Sequence, residues 1–393
     1  MQIYLDYSAT TPPRQEVINQ VQEILTQQWG NPSSLHTWGQ RAATILENAR
    51  GQVAELIHAP HPDSIIFTSG GTEADNLAIL GITRRYCTPQ HLIISSVEHS
   101  AISETAYILQ KQGWQITTLP VNRHGRINPL ELKAAIQDNT VLISIIYGQS
   151  EVGTLQPIEK LAKIARCHGI LFHTDAVQVA GRLPIDVQGL GVDLLSLSSH
   201  KIYGIQGAGA LYVRPGVEIL PLGGGGGQER QLRSGTQALP AIAAFGLAAE
   251  LAASEMASES PRLMALRDRF FDLMADCPYL LPTGDRLYRL PHHISFIICY
   301  PDKNPHQDLI TGKTLVRQLN LAGIGISAGA ACHSGKLSPS PILLAMGYTE
   351  KEALRGIRLT LGRETTLEDI DWTAMVLKQI IYRLMPQLAI VNR

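Results

Sequence analysis

Short apolar runs alternate with helix-like segments through the middle of the chain. The runs are rich in Ile, Leu and Val, and they predict buried strands. These strands are Ser64–Thr68, His91–Ser95, Val141–Tyr147, Ile170–His173, Leu194–Ser198 and Ala210–Val213. The segments between them predict helices at Asp75–Tyr86, Ser100–Gln112, Pro129–Gln137 and Ile158–His168. Such alternation predicts an α/β fold with a mostly parallel central sheet flanked by helices.

The pattern changes after about Leu247. A long charged helical stretch, Leu247–Ala275, leads into new predicted elements. They are strands at His292–Cys299 and Ile324–Ser327, and helices at Leu309–Leu321, Pro341–Gly347 and Leu367–Leu384. A chain of 393 residues exceeds one ordinary core. We therefore expect a large domain over residues 1–257 and a smaller α+β domain over 258–393, with residues 1–14 as an arm that can pack on the small domain.

The composition of the chain disfavours several classes of protein. The hydrophobic fraction is 45%, the charged fraction 17% and the net charge −1, which gives no bulk attraction to nucleic acid or to an anionic membrane. The five cysteines form no C-x-x-C pair, so a disulfide framework and a zinc cluster are both disfavoured. The N-terminus lacks a basic and apolar leader, and the stretch Ala238–Ala249 is too short to span a bilayer. We expect a cytoplasmic protein that uses no metal.

The loop Thr68–Glu73 lies between a predicted strand and a predicted helix. Its two glycines let the backbone approach a ligand, and the N-terminus of the helix offers amides to an anion such as phosphate. The alternative is an ordinary helix start capped by Ser69 or Thr72.

Two further strand ends carry charged residues. Asp175 ends a buried strand, and a protonated pyridine nitrogen is a suitable partner for it, with Gln178 within reach of the same ring. The alternative for Asp175 is a helix cap. Lys201 follows another apolar strand, where burying a charged amine costs free energy. A Schiff base would remove that cost and supply covalent catalysis. Ser198 and His200 can bond a phosphate there; the alternative is a lysine at the surface.

The fourth segment is Ile326–Gly335, which is made of small residues and contains Cys332. A cysteine in such a loop is accessible, as a reactive thiol must be. The alternative, an inert small apolar side chain, suits the other four cysteines better.

The order of anion loop, Asp175 and Lys201 resembles fold-type I enzymes that use pyridoxal phosphate (PLP), which are related to class V aminotransferases. More motifs narrow the resemblance to cysteine desulfurases of the long-loop class, and they run from Tyr4 to about Leu384. The motifs are YLDYSATTP, NPSSLH, SGGTEADNLAI, VEHSAI, HTDAVQ, SLSSHKIYGIQGAGALYV, RSGT, SAGAACHS and IRLTLGR.

The resemblance assigns roles to single residues of this chain. It implies that Lys201 carries PLP, that Asp175 meets the pyridine nitrogen, that Gln178 lies near the ring hydroxyl and that His99 stacks on the ring. The residues implied to hold the phosphate are Gly71, Thr72, Ser198 and His200. Thr236 would reach the phosphate of a neighbouring subunit, which implies a homodimer.

The resemblance also implies the reaction. Arg358 would bind the carboxylate of L-cysteine, a two-pronged contact that suits a guanidinium group. The Cys332 thiolate would take the substrate sulfur as a persulfide and release L-alanine, and His333 can help to form the thiolate. A protein acceptor such as an iron–sulfur scaffold, or another sulfur-compound pathway, would then receive the sulfur.

Two departures from the family pattern stand out. Ser150 occupies the place of an asparagine that meets the ring hydroxyl, and its shorter side chain predicts a lost or water-mediated contact. The chain stops at Arg393, whereas many relatives extend further and dock a scaffold through that tail, so the resemblance leaves the acceptor open.

Two competing functions remain. One is a cystine or selenocysteine lyase of the same fold; a cystine lyase would not need a persulfide-forming cysteine. The other is a nucleotide-binding module built on Gly223–Gly227, although neither a P-loop lysine nor a dinucleotide fingerprint accompanies those glycines.

Overall fold

The computed structural model describes residues 2–299, 310–329 and 338–385. Its strands are β1 (Ile3–Tyr4), β2 (Ile65–Thr68), β3 (His91–Ser95), β4 (Gln115–Leu119), β5 (Thr140–Ser144), β6 (Leu171–Asp175), β7 (Leu194–Ser198), β8 (Gly209–Val213), β9 (Leu280–Pro282), β10 (His293–Ile298), β11 (Ile324–Gly325), β12 (Ser327–Ala328) and β13 (Gly356–Thr360). Its helices are α1 (Gln15–Gln27), α2 (Thr37–Leu56), α3 (Gly71–Thr83), α4 (Ser100–Lys111), α5 (Pro129–Ala135), α6 (Ile158–Cys167), α7 (Val187–Leu190), α8 (Leu239–Leu273), α9 (Gly312–Leu321), α10 (Pro341–Ala345), α11 (Glu350–Ala353) and α12 (Leu367–Leu384).

Seven strands form the central sheet, in the order β2-β8-β7-β6-β5-β3-β4. Neighbouring strands are parallel except at β8, which runs antiparallel to both β2 and β7. The predicted α/β fold with a mostly parallel sheet is therefore confirmed. Strand β4 was not predicted because it is an edge strand, and Gln115, Thr117 and Thr118 interrupt its apolar character.

The C-terminal part of the chain builds a second, antiparallel sheet in the order β12-β13-β10-β9. The stretch predicted as one strand at Ile324–Ser327 is two strands that belong to different sheets. β11 pairs in parallel with β1 at the N-terminus, whereas β12 pairs with β13. The arm is thereby tied to the C-terminal part of the chain, and Ile3 and Leu5 are buried in its hydrophobic core.

Helix α8 joins the two cores. It begins at Leu239, earlier than predicted, because Pro240 is tolerated in the first turn of a helix. Ala244 and Ala248 are buried in the core of the large sheet, and Leu263 and Phe270 in the core of the second sheet. The predicted domain boundary at 257–258 falls inside this helix.

Helix α8 is the one helix of the described chain that is long and apolar enough to cross a membrane. However, 56% of its most apolar window is buried inside the protein. Helices α1 and α2 pack against it, and neither was predicted from the sequence pattern. The apolar residues of α8 therefore serve internal packing.

Candidate active site

The parallel strands β6 and β7 bring Asp175 and Lys201 to one edge of the sheet. Asp175 is the last residue of β6 and is paired in register with Ser196 of β7. Lys201 follows β7 in a single turn of 3-10 helix, Ser199–Lys201. Open α/β sheets bind ligands at this carboxyl edge.

Lys201 is held by the N-terminal arm. Its Nζ donates hydrogen bonds to the backbone carbonyls of Ser8, at 2.6 Å, and Ala9, at 2.7 Å. Burial and the positive charge of Arg358 lower the pKa of the amine to about 8, against the opposite effect of Asp175 and Asp6. An amine with this pKa has an appreciable neutral, nucleophilic fraction near neutral pH.

Asp175 is buried, and its Oδ1 accepts a hydrogen bond of 2.9 Å from the backbone N–H of Val177. Burial raises the pKa of this carboxyl, while the nearby charges of His99 and Lys201 lower it. The chain continues from Asp175 in turns and does not start a helix. The alternative role of Asp175 as a helix cap is therefore wrong; what it stabilises locally is a turn.

The loop before α3 lies beside the same strand ends. A Cβ added to Gly71 would lie 2.9 Å from Val177 Cγ2 and 3.6 Å from Ser198 Cβ, so only glycine lets the loop approach so closely. The N-cap of α3 is Gly70, and no side chain caps the helix. Capping by Ser69 or Thr72 is therefore not observed, and the first-turn amides suit an anion.

Three more of the predicted residues surround this edge. His99 is the N-cap of α4, and its Nδ1 accepts the N–H of Ala101 at 3.2 Å. The Nε2 of Gln178 donates to the Ser8 carbonyl at 2.9 Å. His200 Nδ1 lies 3.1 Å from Thr10 Oγ1, and burial lowers the pKa of this imidazole to about 4.

Arg358 lies on β13 and reaches two distant segments. Its Nη2 contacts Asp6 Oδ1 at 2.6 Å, and its Nη1 donates to the backbone carbonyl of Ser150 at 3.1 Å. Asp6 also accepts a hydrogen bond of 2.9 Å from the Ser327 hydroxyl. The contact that Ser150 makes here is through its backbone, which any side chain at that position would keep.

No local pattern in the sequence assigns a role to Asp6, Ser8 and Ala9, although they belong to the motif YLDYSATTP. Two of the three act through backbone carbonyls, which leave no signature in a sequence. Asp6 was detectable as an acidic residue in an apolar arm.

Thr236 is exposed and, within the described chain, makes no hydrogen bond to the other predicted site residues. It follows a strained turn, Glu229–Gln231, in which three consecutive non-glycine residues have positive φ. The turn is anchored because Glu229 forms a buried ion pair with Arg50 at 2.7 Å. Downstream, Arg233 pairs with Glu73 in the first turn of α3 at 2.9 Å.

The glycines Gly223–Gly227 form an exposed loop that precedes this turn and does not connect a strand to a helix. A phosphate-binding loop requires that connection. The glycine loop thus lacks the geometry of a phosphate-binding loop, which disfavours the nucleotide-binding alternative.

Cys332 and His333 lie outside the described residues. Described residues before and after Cys332, Gly329 and Ser340, both lie next to the buried carboxyl group of Glu151. Its Oε1 accepts a hydrogen bond from the Ser340 hydroxyl, and a Cβ on Gly329 would lie 2.3 Å from the same oxygen. Glu151 follows Ser150, so the ends of the cysteine segment are near the Arg358 contact. Burial raises the pKa of Glu151 to about 8.

The arrangement fits PLP on its own chemistry. A buried carboxyl can pair with a pyridine nitrogen, an uncapped helix start can bind phosphate, and a lysine of lowered pKa can bind an aldehyde. No cluster of metal-binding side chains occurs among the described residues.

A cavity of about 780 Å³ adjoins this edge and shares His200 with it. The arm provides much of its wall, and neither Asp175 nor Lys201 lines it. The lining residues are Tyr4, Tyr7, Thr10, Thr11, Pro12, Pro13, His200, Gly204, Ile205, Gln206 and Glu364.

Comparisons with known proteins identify the family of the chain. The family model for aminotransferase class-V matches residues 3–372. The chain is 44% identical to a protein named cysteine desulfurase IscS from Dictyoglomus turgidum, over 98% of this chain and 95% of the relative. A solved NifS-like protein superposes with a TM-score of 0.88 at 31% identity, covering 98% of this chain and 100% of that one. SspA, solved in complex with cysteine, gives a TM-score of 0.79 at 34% identity, covering 92% and 99%.

Proposed function

The chain belongs to the cysteine desulfurases within the class-V aminotransferase family, and from this premise we propose that it removes sulfur from L-cysteine with PLP held on Lys201. The observation that carries the proposal is the placement of Asp175 and Lys201 at neighbouring strand ends beside the Gly71 loop. Bound PLP would supply an electron-accepting ring that stabilises negative charge at the substrate Cα.

The residues that would hold PLP divide by chemistry. Asp175 would pair with the ring nitrogen, Gln178 would approach the ring hydroxyl, and His99 would lie against the ring. The phosphate would be bound by Gly71, Thr72, Ser198 and His200. We propose that Thr236 binds the phosphate of the partner subunit, because it is exposed and, in the described structure, makes no hydrogen bond to the other site residues of its own chain.

Lys201 and Arg358 would act on the substrate. With a pKa lowered to about 8, the Lys201 amine can take up and return the Cα proton near neutral pH. Arg358 would bind the substrate carboxylate while Asp6 and the Ser150 carbonyl hold the guanidinium in place. The carbonyls of Ser8 and Ala9 would orient the amine.

The sulfur would leave on Cys332. The thiolate of Cys332 attacks the sulfur of cysteine, an S–S bond forms, and the Cβ–S bond of the substrate breaks. A proton reaches Cβ, so that L-alanine leaves and a persulfide remains on Cys332. We propose that a protein acceptor, such as an iron–sulfur scaffold, receives this sulfur from a cytoplasmic homodimer.

The test compares Cys332→Ser with Cys167→Ser, which changes an exposed cysteine on α6. We expect Cys332→Ser to retain bound PLP and to release almost no alanine or sulfide, while Cys167→Ser behaves as wild type. Mass spectrometry after limiting cysteine should find one extra sulfur on Cys332 alone. If Cys332→Ser forms alanine at the wild-type rate, the persulfide mechanism is wrong and a cystine lyase becomes the better interpretation of the function.

A further inference from the structure

Three carboxyl groups are buried together behind the carboxyl edge of the large sheet. Asp75 is on α3, Glu98 precedes α4, and Asp175 ends β6; their exposed fractions are 1%, 7% and 5%. Asp75 experiences the negative charges of Asp175 and Glu98, and Glu98 experiences that of Asp175. Like charges that share an apolar site cannot all be present at ordinary pH, so some of these groups must hold protons.

Among the described residues, no charged cation compensates the carboxyl group of Asp75. Its Oδ1 is 3.8 Å from His173 Nε2, but burial lowers the pKa of that imidazole to about 3 and keeps it neutral. His173 is already engaged on both sides, by Ser144 at 2.8 Å and by Ser196 at 2.9 Å. Asp75 is left with a hydrogen bond from Ser196, and its pKa is raised well above the usual range by burial and by Asp175.

The hydrogen bonds to Glu98 come from backbone N–H groups and a hydroxyl group, not from charged side chains. Its Oε1 accepts the backbone N–H of Ile146 at 3.0 Å and that of Ser95 at 3.3 Å, together with the Ser95 hydroxyl. Its Oε2 is buried without a hydrogen-bond partner in the described structure. Burial and the charge of Asp175 raise the pKa of Glu98 to about 8 in spite of these bonds.

Asp175 differs from both. It accepts the Val177 N–H, and the charges of His99 and Lys201 both favour its ionised form. Of the three carboxyl groups, Asp175 is therefore the one whose ionised form is stabilised by the positive charges of His99 and Lys201.

We propose that Asp75 and Glu98 are positioning residues that remain protonated at neutral pH, so that the three carboxyl groups carry a single negative charge, located on Asp175. Because Asp75 and Glu98 are then neutral, they do not repel the negative charge on Asp175. The role of the charge rests on the proposed function, since it assumes that Asp175 pairs with the PLP ring nitrogen. The protonation of Asp75 and Glu98 does not rest on it.

The test is infrared spectroscopy of the apoprotein at pH 7. We expect wild type to show the C=O stretch of buried, protonated carboxyl groups, and Asp75→Asn and Glu98→Gln each to lose one component. Glu73→Gln is the matched control on α3. Its carboxylate pairs with Arg233, which lowers its pKa, and the substitution should remove no such band. Wild-type spectra without a protonated band at pH 7 would overturn the proposal even if a variant fails to fold.

A second measurement uses the stability of the apoprotein. The native pKa of Glu98 is raised above that of the unfolded chain, roughly 4.3. The native protein therefore binds a proton that the unfolded chain releases, and stability is lost as the pH rises through about 8. Glu98→Gln removes this loss, so its thermal midpoint should gain on wild type steadily from pH 5 to pH 8. An equal difference at both pH values would contradict the proposal.

The loaded enzyme tests the role. Asp175→Asn should move the pH midpoint of the PLP absorbance, whereas Asp75→Asn should leave it in place because that substitution removes no charge. A shift in Asp75→Asn comparable to that in Asp175→Asn would mean that Asp75 is ionised. Failure to bind PLP at all would refute the proposed function and leave the infrared result intact.

Discussion

Two groups of residues make up the site, and they are held in different ways. Asp175 and Ser198 end the adjacent parallel strands β6 and β7, and Lys201 follows β7 closely, so the hydrogen bonds of one sheet fix their spacing. Asp6, Ser150 and Arg358 come from the arm, from the segment after β5 and from β13, and they meet where these separate parts of the chain pack together. The first group is rigid because of the fold, whereas the second depends on the two parts of the chain staying together. We expect the first to carry the chemistry and the second to select and orient the substrate.

The largest effect is expected in the strand-end group. Lys201→Ala should lower the rate of alanine formation by roughly 10³-fold or more, because both the anchor and the proton carrier are removed. The visible absorbance of bound PLP should change with it. Lys133→Ala on α5, an exposed lysine, is the control and should match wild type. Wild-type turnover by Lys201→Ala would mean that the chemistry is not at this edge.

A smaller effect is expected in the assembled group. Arg358→Lys keeps the charge but loses the fork that contacts Asp6 and Ser150, so kcat/KM for cysteine should fall about 10- to 100-fold, mainly through KM. Asp6→Asn should cost less, since Arg358 keeps its charge and its contact with the Ser150 carbonyl. Steady-state kinetics separate the cases. A fall confined to kcat in Arg358→Lys would remove the distinction between the two groups.

The pH dependence of cofactor binding tests whether Arg358, in the second group, influences the pKa of Lys201, in the first. Only the neutral amine of Lys201 attacks the PLP aldehyde, so the rate of capture by the apoprotein should rise with pH and level off above about 8. Arg358→Gln removes a positive neighbour, and the midpoint should move to higher pH. Stopped-flow absorbance measures both profiles. A midpoint that does not respond to Arg358→Gln would show that the groups are electrostatically independent.

The smallest effect is expected at Ser150. Ser150→Asn leaves the backbone carbonyl that Arg358 contacts, so we expect at most a change of a few-fold in kcat/KM, below about 1 kcal/mol. If the side chain faces the ring hydroxyl, the absorbance of bound PLP or its pH dependence should shift. An unchanged spectrum at every pH would show that position 150 contributes only its backbone.

The same contrast explains what the sequence could predict. Strand ends such as Asp175 and Lys201 were identified because a charged residue after a buried apolar run is costly unless it is used. The contact of Asp6 with Arg358 was not, because 352 positions separate them and no local pattern records a long-range pair. The anchoring of Lys201 by the Ser8 and Ala9 carbonyls was missed for another reason: every residue has a carbonyl, so only the fold shows which ones are used.

The buried acids illustrate a third limit. Asp75 lies in a helix whose pattern predicts only a helix, and Glu98 was part of a recognised motif without an assigned role. What distinguishes them is the shared burial with Asp175, which a single sequence does not reveal. Helix α8 begins earlier than predicted, and the helices α1 and α2 that pack against it were not predicted either.

The pairing of β1 with β11 also sets the order in which the enzyme can be completed during synthesis. Ile3 is among the first residues to leave the ribosome, but its partner Ile324 is made 321 residues later. At typical elongation rates the arm must wait roughly 15–65 seconds for that strand. Arg358, the partner of Asp6, emerges later still. The carbonyls that orient Lys201 are therefore set in place near the end of translation, so a partly made chain would have the strand-end residues and not yet a finished active site.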